Sequence, residues 1–367
     1  MLCNAGRVGY AQAVMTTVET LDAALHKHAD LVSTAMRGVL ARYDESPEGF
    51  YDLVRYHLGL LDANLHPIEG RPGGKGLRAA LLMLLAETFG GVTALDDAAP
   101  LAAAMELLHN FSLLHDDIED GSTTRRHRPT VWSLWGAPLG INAGDGLYAL
   151  AHVALLDAPM RRTAPATFID VMEHFENATL RLCEGQHLDM VLEDRDVAEV
   201  SVETYLTMIG GKSAALIGSA SWMGAVAGGA SDAQADLAYH WGLQIGMAFQ
   251  MQDDVLGIWG DEGVTGKSAA GDIASRKKTL PVLLALAHAS PTEGELLRDL
   301  YRASGADARA DASILALLDR VGARSLTRAY LTRYQDDAAQ ALAALDLSPR
   351  ARALLAWFAQ RFVDRTA

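Results

Sequence analysis

Glu106–Thr130, ELLHNFSLLHDDIEDGSTTRRHRPT, is the stretch whose reading decides the fold. Apolar residues at Met105, Leu107, Leu108, Phe111, Leu113 and Leu114 form a helical run that delivers three carboxylates, Asp116, Asp117 and Asp120, followed by Arg125 and Arg126. On a helix Asp116 and Asp120 stand one turn apart on one face, with Asp117 roughly 100° round. Like charges at that spacing repel, so a cation among them is required. Mg2+ fits, because it accepts one or two carboxylates and completes its octahedron with water and phosphate oxygens. Paired arginines grip phosphate bidentately. Acids, an implied ion and arginines together predict a diphosphate site.

A solvated helix end explains a lone acidic cluster as well, in a chain with 46 acidic and 31 basic residues. A second such stretch decides between the readings, and Phe249-Gln250-Met251-Gln252-Asp253-Asp254 supplies it. Asp253 and Asp254 fall deep in an apolar helix predicted from Ala233 to about Gly260, where unpaired carboxylates are costly.

Half of the 367 residues are apolar and no long Pro/Gly/Ser linker divides the chain, so one domain over 1–367 is expected, with a loose tail at 1–11. The net charge of −15 argues against nucleic acid as a partner. Cys3 and Cys183 lie far apart without CxxC spacing, which indicates neither a disulfide framework nor a zinc site. With no signal-peptide pattern and no run of 18 apolar residues, a cytoplasmic protein without stable membrane insertion is expected.

Helices are predicted from Ala13 to about Arg42 and over 48–65, the latter stopped by Pro67. Gly73-Gly74-Lys75-Gly76-Leu77-Arg78 opens an apolar helix at Ala79–Phe89; free N–H groups and two cations there make a second anion site, or an ordinary glycine loop. Three Gly-Lys pairs, Gly74-Lys75, Gly211-Lys212 and Gly266-Lys267, lack the spaced glycine and preceding strand of a P-loop. Asp145 sits among small residues and is expected to face a packed interior. A helix over 168–192 carries Gln186 and Asp189 at i, i+3, lining a polar cavity or lying on the surface. Gly210-Gly211-Lys212-Ser213 leads into the helix Ala214–Val226. A charged loop bearing Asp261, Lys267, Asp272, Arg276, Lys277 and Lys278 is placed to close over a phosphate. From Pro281 onward short helices read as scaffold. Ala and Leu dominate, so the chain is predicted to be almost wholly helical, with two acidic helices facing each other across a bundle cavity.

With those residues assembled, the chain resembles the trans-isoprenyl diphosphate synthases of the polyprenyl synthetase family, which make geranyl, farnesyl, geranylgeranyl and longer diphosphates. The resemblance runs from about Gly73 to Pro281 through GGKxLR, HDDxxDxxxxRRxxPT, AGD, GQxxD, GKS, FQxxDD and GDxxxTGK in that order. It implies an all-α isoprenoid synthase bundle around a central cavity, a homodimer, and Mg2+ held on an allylic diphosphate by Asp116, Asp117, Asp120, Asp253 and Asp254. Arg125, Lys212, Ser213, Gln250, Lys267 and Lys277 match positions at that diphosphate. Lys75, Arg78, His109 and Arg126 match the pocket for isopentenyl diphosphate, and Gln186 and Asp189 match polar cavity residues. The family's second motif has a third aspartate where this chain has Gly257. Phe111, five residues before the first aspartate, with Ser112 beside it, matches the floor that sets product length and implies a C20 product, with C15 next. A terpene cyclase on the same fold and a non-catalytic subunit of a heteromeric synthase are the competing readings.

Overall fold

A computed structural model describes residues 23–43, 49–69, 76–260, 271–302 and 307–364. The tail at 1–11, the expected helix start at 13–22, Gly73, Gly74, Lys75 and Lys267 lie outside the described residues. The described chain is all-α apart from one two-stranded hairpin. No described helix is long and apolar enough to cross a membrane.

The chain divides into two compact units. The first runs to Phe175 and takes in Ala220–Asp236 and Leu347–Leu354. Its helices are α1 at 23–41, α2 Phe50–His57, α3 Leu77–Gly90, α4 Leu95–Glu119, α5 Val131–Trp135, α6 Ala137–Leu155, α7 Met160–Thr163 and the start of α8 Pro165–Asp194. Strands β1 Thr124–Arg125 and β2 Arg128–Pro129 form the hairpin. The central element is α4, packed along α6 and against α3. It is buried on every side from Leu101 to Met105, as a helix apolar all round must be. Leu81, Leu82, Leu84 and Leu85 of α3 are each at most 1% exposed, and burying each stabilises the unit by about 1.5–3 kcal/mol.

The second unit holds Glu176–Ser219, Leu237–Asp346 and the chain from Leu355 onward. After the rest of α8 come α9 Val202–Ile209, a π-helical turn at Gly210–Ala214, and the first residues of α10 Ala215–Ala227. Most of α11 Asp232–Trp259 follows, then α12 Gly271–Ala274, α13 Leu280–His288, α14 Pro291–Arg302, α15 Ala308–Val321, α16 Ala323–Ala344 and the end of α17 Pro349–Asp364. Its core includes Trp241, Ile245 and Met251 of α11 and the buried face of α13, which packs on α16.

Three expectations need correction, and one short hairpin stands outside the helical pattern. The helix expected over 48–65 ends at His57, because Gly59 turns left-handed at φ +79 and the Asp62 carboxylate caps the Asn64 and His66 N–H groups at 2.8 and 2.9 Å. The hairpin at 124–129 interrupts the helical pattern. Asp145 is exposed, since Ala143, Gly144 and Leu147 take the inner face of α6. The C-terminal scaffold contains a 22-residue helix, α16, where only short ones were expected.

The π-helical turn is seated by Gly185 on α8, where a Cβ would stand 2.1 Å from the Lys212 main-chain nitrogen. The obstacle is backbone and cannot swing aside. Gly185→Ala is therefore expected to destabilise the chain by about 1–3 kcal/mol, read as a lowered urea midpoint.

Candidate active site

The acidic stretch of the first unit closes α4. Gly121, at φ +61, takes the left-handed position just past the helix and ends it. The acids consequently sit at the negative end of the helix dipole, where further negative charge is disfavoured. Arg125 answers that charge: its Nε donates to Asp117 Oδ1 at 2.6 Å and its Nη2 to Asp116 Oδ2 at 3.2 Å. The Asp117 side chain is only 3% exposed. Burial pushes its carboxyl pKa up, and the Arg125 guanidinium pulls the other way. Asp116 is half-buried and Asp120 exposed.

The hairpin that begins at Arg125 turns through Arg126 and His127, both left-handed at φ +51 and +60. Neither is glycine, and each such residue costs on the order of 1–3 kcal/mol. Pairing also sets Arg125 opposite Arg128, a like-charge cross-strand pair. Arg128 is held nonetheless: its Nη2 donates to the Leu61 carbonyl at 2.6 Å and its guanidinium lies 4.2 Å over the Tyr56 ring. Tyr56 Oη in turn donates to the Pro129 carbonyl at 2.7 Å.

Between them lies a cavity of about 80 Å³ lined by His57, Asp117, Arg125, Arg126, Arg128 and Thr130, among others. His57 hydrogen-bonds the main chain at Asn110, while its Nε2 is buried without a hydrogen-bond partner. Burial first, then Arg126, Arg125 and Arg128, drive the His57 pKa down to about 3. His109 is likewise held well below the usual histidine value, by burial and then by Arg78, Arg126, Arg125 and His57. Burial, with the guanidinium groups second, holds both histidines neutral, and the clustered arginines suit a multiply charged anion.

Phe111 and Ser112 sit one and a half turns before Asp116 on α4. The Ser112 hydroxyl donates to the His109 carbonyl at 2.8 Å. Phe111 packs edge-on against His115 at 4.8 Å and tilted against Tyr148 at 5.4 Å. The file continues from Tyr148 to His152 at 4.6 Å and from His152 to the buried Phe175 at 5.5 Å.

In the second unit Asp254 is 3% exposed and anchored through one oxygen. Its Oδ2 accepts from Tyr205 Oη at 2.5 Å and from the Leu280 N–H at 2.9 Å. Burial raises its pKa to about 6, against these hydrogen bonds and Lys277. The Ser213 hydroxyl donates to Gln250 Oε1 at 2.8 Å, and Gln250 Nε2 reaches toward Asp254 Oδ1 at 3.5 Å. Lys212 Nζ pairs with the buried Asp189 at 2.5 Å, while Gln186 is half-buried one turn earlier. Lys277 is held above the ordinary lysine value: desolvation lowers it, but Asp189, Asp254 and Asp272 outweigh that. Its neighbours in the charged loop are engaged elsewhere, Arg276 with Asp311 at 2.6 Å and Lys278 with the Glu193 carbonyl.

The donor chemistry fits magnesium. Asp116, Asp120 and Asp253 each leave carboxylate surface accessible, and all are hard oxygen donors. Among the described residues no three acidic, histidine or cysteine side chains form a ready-made cage.

The structure thus groups Arg78, His109 and Arg126 electrostatically in the first unit, and Gln250, Ser213 and Asp254 by hydrogen bonds in the second. His57, Arg128 and Tyr205 escape the sequence reading. His57 and Tyr205 stand singly in ordinary helical contexts, with no charge cluster or spacing to single them out, whereas the basic run Arg125-Arg126-His127-Arg128 carried a signal for Arg128.

Fold and site define an all-α enzyme built to handle a diphosphate. The polyprenyl synthetase family model matches residues 64–318. A geranylgeranyl diphosphate synthase of Mycobacterium tuberculosis is 42% identical over 284 residues, covering 77% of this chain and 78% of that protein. A (2E,6E)-farnesyl diphosphate synthase of Mycobacterium bovis is 35% identical over 341 residues, covering 92% and 91%. A crystal structure of a polyprenyl synthetase from Streptomyces coelicolor A3(2) matches with a TM-score of 0.83 at 37% identity, over 94% of this chain and 99% of that one. A geranylgeranyl pyrophosphate synthase from Corynebacterium glutamicum, complexed with isoprenyl diphosphate and magnesium, matches with a TM-score of 0.79 at 27% identity, over 93% and 99%. The chain belongs to the polyprenyl synthetase family and is a trans-prenyltransferase.

The raised pKa of Asp254 fixes a pH signature. A buried carboxyl with pKa about 6, against an ordinary 3.8, withholds no stability below about pH 4 and progressively lowers it as pH rises through 6. Asp254→Asn is expected to gain stability relative to wild type across that window, measured by urea unfolding in magnesium-free buffers.

Proposed function

We propose that the enzyme condenses isopentenyl diphosphate head to tail with an allylic diphosphate, with Mg2+, to give geranylgeranyl diphosphate. The observation that carries this reading is the gathering of Arg78, Arg126 and Arg125 near His109. An enzyme that only ionises one diphosphate has no use for a second anion seat. Arg78, His109 and Arg126, together with Lys75, are assigned to isopentenyl diphosphate. Arg125, Lys212, Ser213, Gln250, Lys267 and Lys277 are assigned to the allylic diphosphate.

Magnesium, held by Asp116, Asp117, Asp120, Asp253 and Asp254, would neutralise charge on the departing diphosphate. Arg125, already aligned by two carboxylates, and Lys212, oriented by Asp189, add fixed positive charge for the same leaving group. As the allylic C–O bond breaks, the isopentenyl double bond attacks the cation. The proton lost afterwards goes to diphosphate, so no protein nucleophile is required. Neutral His109 can donate a hydrogen bond to a phosphate oxygen without adding to the surrounding positive charge.

The half-buried Phe111, braced by Tyr148, supports its assignment as the floor for the growing chain, with Ser112 beside it. A homodimer is proposed on the exposed Leu139 and Ile141 of α6, 48% and 47% accessible, and a cytoplasmic location on the two distant cysteines, Cys3 and Cys183, which lack the spacing of a disulfide framework.

The decisive experiment incubates the protein with Mg2+, isopentenyl diphosphate and dimethylallyl, geranyl or farnesyl diphosphate, resolving products by chain length. A C20 diphosphate formed only when isopentenyl diphosphate is present is expected. Cyclised product without it identifies a cyclase, and activity only with a partner chain identifies an accessory subunit. Phe111→Ala should shift products beyond C20, read by the same chromatography. Asp116→Asn should cut kcat by at least about 10²–10³-fold, the scale of losing one preorganised electrostatic group.

A further inference from the structure

Glu106 precedes Asp116 on α4 by about 15 Å along the helix axis. Its neighbours Ala103, Ala104, Met105, Leu107 and Leu108 are each 0% exposed, and Glu106 itself is 3% exposed. A carboxylate sunk in such a stretch is costly unless a hydrogen bond and a cation answer it. Asn110, fully buried one turn on, supplies the hydrogen bond: its Nδ2 donates to Glu106 Oε1 at 3.3 Å and to the Glu106 carbonyl at 2.8 Å. His57 in turn hydrogen-bonds the main chain at Asn110 and lines the same cavity as Arg126. Glu106 is thereby joined, through Asn110 and His57, to the wall of the arginine cavity.

The cation is Arg126. Burial lowers its pKa, and the strongest influence in the other direction is Glu106, ahead of Asp117, while Arg125 and Arg128 add to the lowering. Arg125, next to it in the chain, is held instead by Asp116 and Asp117. We propose that Glu106 is a positioning residue for the isopentenyl diphosphate seat, holding Arg126 there while Asp116 and Asp117 keep the adjacent Arg125 for the allylic diphosphate. The inference rests on the condensation reading above. One helix then sorts two consecutive arginines between two seats, with carboxylates nearly three turns apart. Without the Glu106 charge, repulsion from Arg125 and Arg128 acts on Arg126 against Asp117 alone, and Arg125 already engages Asp117.

The test uses the full-length protein with Mg2+ and steady-state kinetics in which isopentenyl diphosphate and farnesyl diphosphate are varied in turn. Glu106→Gln, which keeps the shape and removes the charge, is expected to raise KM for isopentenyl diphosphate at least about tenfold, the scale of unpairing a buried charge. KM for farnesyl diphosphate should stay within about threefold of wild type, a split that general loosening of the core would not produce. Asn110→Ala, which removes the tether and keeps the charge, should move the same constant in the same direction by a smaller factor. Glu106→Asp should recover most of the loss. Because Glu106 acts through Arg126, Glu106→Gln/Arg126→Gln should be no worse than Arg126→Gln alone. An unchanged KM for isopentenyl diphosphate in Glu106→Gln overturns the inference alone, as do equal rises in both constants or a double variant whose losses multiply. A wild-type chain that forms no product dependent on isopentenyl diphosphate overturns the condensation reading and this inference with it.

Discussion

Three carboxylates end a helix whose dipole already turns its negative pole toward them, and one guanidinium holds two of them. Much of the first unit's local architecture follows from that contact. The chain reverses past Gly121, and Arg125 comes back to Asp116 and Asp117. Directly after it a two-residue turn returns Arg128 beside Arg125 and holds Arg126 and His127 in a conformation that side chains disfavour. Strain of that kind persists only where surrounding contacts over-determine it. Here they do: Arg128 is gripped by the Leu61 carbonyl and the Tyr56 ring, and Tyr56 ties down the Pro129 carbonyl. Arg125 and Arg128 are thereby set side by side next to the acids.

The second unit meets the same problem by other means. Asp254 lies buried in mid-helix, and a tyrosine hydroxyl and a backbone N–H satisfy it instead of a cation. Neutral donors hold the carboxylate in place and Lys277 acts on it from nearby, yet burial still dominates its titration. Asp253 beside it remains accessible. Anchoring one acid of the pair and leaving the other half-buried separates the task of fixing helix and loop from that of offering oxygen to solvent-borne charge.

The fold class, both acidic helices and the Gly-Lys-Ser turn were legible because each carries a long periodic pattern or a cluster that breaks one. The end of α2 was not, since Gly59 and the Asp62 cap act within a stretch whose apolar spacing still looks helical. Nor was the hairpin: its strands are two residues long and its turn contains no glycine. Asp145 misled because small neighbours suggested burial, whereas on α6 they mark the side that packs and leave the aspartate facing out. His57, Arg128 and Tyr205 gain meaning only from partners 53, 67 and 49 positions away at Asn110, Leu61 and Asp254.

Phe111 and Asp116 ride on the same rigid helix, five residues apart, which at 1.5 Å per residue separates them by about 7.5 Å along its axis. On the proposed reading, one marks where the hydrocarbon chain stops and the other where the bond breaks. A gauge and its zero mark are then cut on a single bar. Motion of the helix carries both together, so the length measured would be insensitive to breathing of the surrounding protein. Selection could recalibrate the product in five-carbon steps by altering the apolar end of the bar, leaving the charged end untouched.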